Sequence, residues 1–105
     1  MIIAANWKMN LSLQDAVKLA EGLSSKNFNS IKRIIFPPHP YLASISKCLQ
    51  GSDLCLGGQD CHHDGFGAHT GDVSARMLQD CGASTVLLGH SERRSAHNET
   101  SDLIA

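Results

Sequence analysis

Val86-Leu87-Leu88-Gly89-His90-Ser91-Glu92-Arg93-Arg94 carries the reading of the fold. Three aliphatic residues in a row suit a short strand buried on both faces, as in a parallel sheet. A polar, charged segment suited to a helix N-terminus follows. The same change from apolar run to polar segment recurs upstream. Ile2-Ile3-Ala4-Ala5 precedes Asn6-Trp7-Lys8, Ile34-Ile35-Phe36 precedes Pro37-Pro38-His39-Pro40, and Leu54-Cys55-Leu56 precedes a glycine-rich stretch.

Segments with helical spacing lie between these runs. Leu13, Ala16, Val17, Ala20 and Leu23 share one face at the 3.6-residue period, with Ser12 as N-cap and Asp15 three residues on. Tyr41, Leu42, Ile45, Cys48 and Leu49 form a second stripe, with Pro40 in its first turn and Gly51 past its end. Val73, Met77, Leu78 and Cys81 predict a shorter third helix, ended by Gly82. The order is that of consecutive βαβ units, whose right-handed crossovers make the strands parallel and put the helices outside. Ligands meet the carboxyl ends of strands in such sheets, which directs attention to the residues after each apolar run.

The chain has 105 residues, enough for one small domain, and a hydrophobic fraction of 42%, which suits a packed core. Nine basic against ten acidic residues leave a net charge of −1, which argues against a nucleic-acid binder and a polybasic membrane anchor. No apolar run is long enough to suggest a transmembrane helix, and Met1–Lys8 lacks the basic start of a signal peptide. The expectation is a cytoplasmic protein. Cys48, Cys55, Cys61 and Cys81 contain no C-x-x-C pair, so they are expected to be reduced and mostly buried. Asn98 to Ala105 reads as a new helix capped by Ser or Thr, with only about one turn present, which predicts a truncated chain.

Four groups of residues bear on chemistry. Asn6 and Lys8 put an amide and a cation at a strand's carboxyl end, where they can meet an anion; a surface lysine beside a packed tryptophan is the competing reading. Gly57 to Gly71 is the longest irregular stretch and has neither a G-x-G-x-x-G fingerprint nor a P-loop lysine. It holds Cys61, His62, His63, Asp64 and His69, all possible metal ligands, but adjacent histidines on a loop usually point apart, so a solvated loop is favoured over zinc binding. A protruding contact loop for another subunit, using Phe66, is a third reading of the same stretch. Gly89-His90-Ser91-Glu92-Arg93 begins like a nucleophile elbow and fails at Arg93, which excludes esterase chemistry. What remains is His90 at a helix N-terminus, where the dipole favours neutral imidazole, with Glu92 able to order a cation such as Lys8.

Asn6-Trp7-Lys8-Met9-Asn10 resembles the opening of the triosephosphate isomerase family, and Gly89-His90-Ser91-Glu92-Arg93-Arg94 resembles that family's central signature. Gly67-Ala68-His69-Thr70-Gly71-Asp72 is similar to its dimerisation loop. The resemblance spans all 105 residues in order. It implies a TIM (β/α)8 barrel of typically ~250 residues, of which residues 1–105 supply the first four strands and the start of the fourth helix, as the N-terminal part of one domain. It also implies interconversion of dihydroxyacetone phosphate and glyceraldehyde 3-phosphate through an enediolate, in a homodimer, with no metal or organic cofactor.

By the same match, Asn6 and Lys8 bind substrate and Lys8 supplies positive charge. His90 is the neutral electrophile, in a family that is itself a standard example of such pKa tuning. Glu92 supports the lysine, and Thr70 reaches toward the second subunit. Asp72 stands where the family commonly has glutamate and is expected to pair with Arg93; His69 replaces a usual aromatic. The family's glutamate base, lid and phosphate loops come after later strands, and Glu21, Glu92 and Glu99 do not occupy the base's motif. The isolated chain is therefore expected to be nearly inactive. A non-catalytic half-barrel that acts as an assembly module is the alternative.

Overall fold

The structure, a computed structural model, describes residues 1–105. It contains β1 (Ile2–Asn6), α1 (Leu13–Ser24), β2 (Lys32–Phe36), a 3-10 turn (His39–Tyr41), α2 (Leu42–Cys48), β3 (Cys55–Gly58), α3 (Ala75–Asp80), β4 (Thr85–Val86), α4 (Ser91–Ala96) and α5 (Ser101–Ile104). The strands form one sheet in the order β1-β2-β3-β4, every pair parallel. Each crossover therefore brings the chain back to the same sheet end, and the carboxyl ends of all four strands lie together.

The expected cap of α1 is present: Ser12 Oγ accepts from the Asp15 amide at 3.2 Å and donates to the Asp15 carboxylate at 3.0 Å. Ala16 and Ala20 are fully buried and let α1 approach α2, whose Leu42 and Ile45 are also sealed from solvent. These residues join Ile35, Leu49, Leu54, Leu56, Leu78 and Ala83 in the core. Ile34 and Phe36 alternate with Ile35 along β2 and are buried too, so β2 is covered on both faces.

The observed elements depart from the sequence reading in four places. β3 runs on through Gly57 and Gly58, which the sequence assigns to the loop. Packing explains both glycines: a Cβ on Gly57 would collide with the Phe36 ring, and one on Gly58 would come within 2.6 Å of Leu78 Cδ1. β4 is shorter and earlier than Val86–Leu88, and Leu88 is exposed. β1 is a strand as expected, but it is not buried on both faces. It is the edge of the sheet, hydrogen-bonded only to β2, and Ile2 and Ile3 are 63% and 51% exposed. The four cysteines are free, as expected, but all are half-buried rather than buried.

The third helix starts at Ala75, because Ser74 takes the N-cap and its Oγ accepts from the Met77 amide at 3.2 Å. The terminal helix is capped by Thr100, whose hydroxyl accepts from Leu103 N. No helix is long and apolar enough to cross a membrane.

Candidate functional site

The loops that leave β1, β3 and β4 converge into a cleft lined by Asn6, Lys8, Gln59, Asp60, His90, Glu92 and Arg93. Lys8 follows β1 by two residues and has φ +55°, a left-handed backbone that costs a non-glycine residue roughly 1–2 kcal/mol. Two side chains hold it there. Asn6 Oδ1 accepts from the Lys8 amide at 2.8 Å. Gln59, just past β3, donates from Nε2 to the Lys8 carbonyl and to the Phe36 carbonyl, each at 2.8 Å. One amide thus ties together the ends of β1, β2 and β3. Gln59 is fixed in turn by its own N–H, which donates to His39 Nε2 at 3.2 Å.

The Lys8 ammonium reaches across the cleft to Glu92 Oε1 at 2.7 Å. That hydrogen bond, helped by the charge of Lys8, holds the Glu92 carboxyl below its ordinary range despite some opposing desolvation. Both partners are about half exposed, so the pair orders the cation more than it stabilises the fold.

His90 is the N-cap of α4. Gly89 makes the preceding turn at φ +60°, a position where a Cβ would run into Ile104 and come within 2.8 Å of Arg94. His90 Nδ1 accepts from the Glu92 amide at 3.4 Å. A nitrogen that accepts carries a lone pair, so in neutral imidazole the proton sits on Nε2. The Glu92 carboxylate lies 3.6 Å from the same Nδ1, but with that nitrogen unprotonated this contact is not an ion pair.

Arg93 forms the floor. It donates to Glu99 at 2.8 Å and meets Asp60 at 3.1 Å. Desolvation opposes the charge, but the Glu99 bond and the nearby carboxylates outweigh it and raise its pKa. The expected Asp72–Arg93 pair is not formed. Asp72 lies beside His62, Nε2 to Oδ2 3.7 Å, and acts on Arg93 only at longer range. Asp60 and Glu99 occupy the guanidinium instead.

The structure thus brings together Asn6, Lys8, His90 and Glu92 from the sequence-predicted set. Thr70 is exposed on the loop between β3 and α3 and shares no hydrogen bond with them. Of the possible metal ligands, His62, Asp64 and His69 converge, while Cys61 and His63 stay outside that group. Desolvation, with Asp60 and Glu99 nearby, pushes the Cys61 thiol up. The expectation that His62 and His63 point apart is overturned: their rings stack at 4.3 Å. Sequence reasoning missed Gln59, His39 and the Asp60–Arg93–Glu99 group. The position of Gln59 directly after a strand was the one available signal.

The family model described as "Triosephosphate isomerase" matches residues 1–105. The chain belongs to the triosephosphate isomerase family. It is 48% identical over 107 residues to the triosephosphate isomerase of Caulobacter vibrioides, covering 99% of this chain and 42% of that protein. It is 41% identical to the Chlorobium phaeobacteroides protein of the same name, covering 94% of this chain and 41% of that one. The crystal structure of triosephosphate isomerase from Bartonella henselae superposes with a TM-score of 0.84 at 40% identity, over 97% of this chain and 43% of the other. The chain therefore spans about two fifths of the length of its relatives. The four parallel strands are those of a partial TIM barrel.

Proposed function

We propose that this chain is the N-terminal part, residues 1–105, of a single-domain triosephosphate isomerase barrel, and that it carries the electrophilic half of the catalytic site. The observation that supports this most is His90 capping α4 through Nδ1 while Lys8 and Glu92 bridge the cleft at 2.7 Å beside it. In this reading the substrate is a triose phosphate, isomerised in a cytoplasmic homodimer to which Thr70 contributes a contact.

Enolisation of a hydroxycarbonyl compound needs a donor at the oxygen and a base at the carbon. His90 supplies the donor: its Nε2–H faces away from the capping bond and hydrogen-bonds the oxygen that becomes negative. Lys8 adds a fixed positive charge for the enediolate and for the phosphate. Asn6 and Gln59 hold the lysine backbone, and Glu92 limits where the ammonium can swing. Glu92 and Glu99 are committed to Lys8 and Arg93, and Glu21 lies on α1, so none of the three is free to act as base over a substrate in this cleft. The isolated chain is accordingly expected to turn over triose phosphate barely or not at all, since donor and base act as a unit.

The test is a graft. Residues 1–105 replace the matched segment of the Caulobacter vibrioides relative, and triose phosphate isomerisation is assayed with and without His90→Gln. The expected result is an active graft whose kcat falls roughly 100- to 1,000-fold on His90→Gln, the loss typical of one oxyanion donor. A folded graft with no isomerase activity, or one indifferent to His90→Gln, would overturn the reading.

A further inference from the structure

We propose that His39 is a positioning residue for Lys8 in the isomerisation proposed above, acting through Gln59; the inference rests on that reading of the cleft. The path has three steps. His39 Nε2 accepts from the Gln59 N–H at 3.2 Å. The Gln59 side chain donates to the Lys8 carbonyl at 2.8 Å. That carbonyl belongs to the residue whose backbone is held at φ +55° and whose ammonium meets Glu92 at 2.7 Å. His39 itself does not line the cleft, so whatever it does there it does through Gln59.

The segment that carries His39 is built to hold still. All three prolines of the chain, Pro37, Pro38 and Pro40, flank it, and each fixes a backbone φ before the chain folds. Pro37 is fully buried. The Tyr41 N–H donates to the Pro38 carbonyl at 3.0 Å and closes the 3-10 turn. Tyr41 Oη donates to the Leu11 carbonyl at 2.9 Å, which ties the turn to the same β1–α1 connection that carries Lys8. The imidazole is only 20% exposed. A covered ring on a pre-set turn presents its nitrogen at a fixed point, and the Gln59 backbone is set by that point.

The bond to Gln59 also fixes the proton on the ring. Nε2 accepts, so in neutral imidazole the hydrogen sits on Nδ1. Asp60 Oδ1 lies 3.5 Å from the same Nε2, while the other oxygen of that carboxylate meets Arg93 at 3.1 Å. A ring with its proton on Nε2 would bond to Asp60 and leave the Gln59 N–H without its acceptor. The observed arrangement keeps two arms apart: Asp60 stays with Arg93, and Gln59 stays with Lys8.

The experiment compares His39→Phe, His39→Gln, Gln59→Ala and the double variant His39→Phe with Gln59→Ala. Phenylalanine keeps a ring and removes the acceptor; glutamine puts an amide oxygen within the reach of Nε2. NMR follows Gln59 amide exchange and the Glu92 carboxyl titration, in the 105-residue chain and in the graft, and kinetics are measured in the graft. Far-UV circular dichroism checks that each variant keeps its fold. In His39→Phe the Gln59 amide should exchange faster and the Glu92 carboxyl should titrate higher. Its kcat/KM for triose phosphate should fall about tenfold, short of the ~100-fold that a 1 Å misplacement can cost. His39→Gln should recover most of all three. With Gln59→Ala already present, His39→Phe should change the Glu92 titration and kcat/KM no further, because the path is already cut. Parent-like amide exchange and Glu92 titration in His39→Phe would overturn the proposal. So would a His39→Gln as impaired as His39→Phe, or effects of His39→Phe and Gln59→Ala that simply add. An inactive parent graft would sink the isomerase reading alone, since the two NMR measurements need no turnover and still decide whether His39 sets Lys8.

Discussion

Gln59→Ala should loosen the site and the sheet together. The Gln59 amide donates two bonds of 2.8 Å, to the carbonyls of Lys8 and Phe36. Each such bond contributes a net ~0.5–1.5 kcal/mol, so the pair is worth about 1 to 3 kcal/mol. Truncation also removes the tether on Lys8, whose left-handed backbone is costly by itself. Relaxation of Lys8 to an extended backbone would return part of that cost, which places the expected loss in the lower half of the range. With a urea m-value of about 1.5 kcal/mol/M for a chain of this size, the unfolding midpoint should drop by roughly 1 M. Trp7 is the only tryptophan and sits between Asn6 and Lys8, so its fluorescence follows this segment directly. The released lysine should also stop holding down the Glu92 carboxyl, which NMR can read in the same variant. An unchanged midpoint together with an unchanged Glu92 titration would refute the argument that Gln59 holds Lys8 in place.

Other consequences are open to test. In Lys8→Met the Glu92 carboxyl should titrate higher than in the parent. A folded-state pKa that is held down means the favourable charge contribution exists above the ordinary glutamate range and is lost only as pH falls through the lowered value, so the Lys8–Glu92 contact should survive mild acid. Ile45→Ala removes a fully buried side chain between α1 and α2 and should cost about 2–5 kcal/mol in chemical denaturation. Ser74→Ala removes the cap of α3 and should cost ~1 kcal/mol by the same measurement. The raised Cys61 thiol implies less thiolate at neutral pH, so iodoacetamide should label Cys61 more slowly in the folded chain than in urea.

The sequence made the parallel βα order legible because Ile34-Ile35-Phe36 and the α1 stripe are patterns that burial alone imposes. It misled at Gly57 and Gly58, where glycine usually signals a loop but here leaves room for Phe36 and Leu78 inside a strand. At β1 the apolar run reports what the strand is able to bury, and within residues 1–105 the strand is a sheet edge with Ile2 and Ile3 exposed. Asn6, Lys8, His90 and Glu92 were readable because their residue types announce charge and proton chemistry at strand ends. Gln59 was not, because its part is to bridge the carbonyls of Lys8, just past β1, and of Phe36, at the end of β2, a pairing that only the assembled sheet creates. Arg93 was placed against the wrong acid for a related reason. Asp60, 33 residues away, meets it only once β3 and β4 have paired, and Glu99, six residues on, meets it across the end of α4.

The proposed chemistry turns on one proton of His90, and nitrogen-15 NMR of the imidazole at pH 8 reads it directly. With Nδ1 accepting from the Glu92 amide, the ring should show a protonated Nε2 and an unprotonated Nδ1, and the Glu92 amide should be protected from solvent exchange. A neutral ring with its proton on Nδ1 would contradict the account, because His90 would then have no hydrogen to offer a developing oxyanion from Nε2.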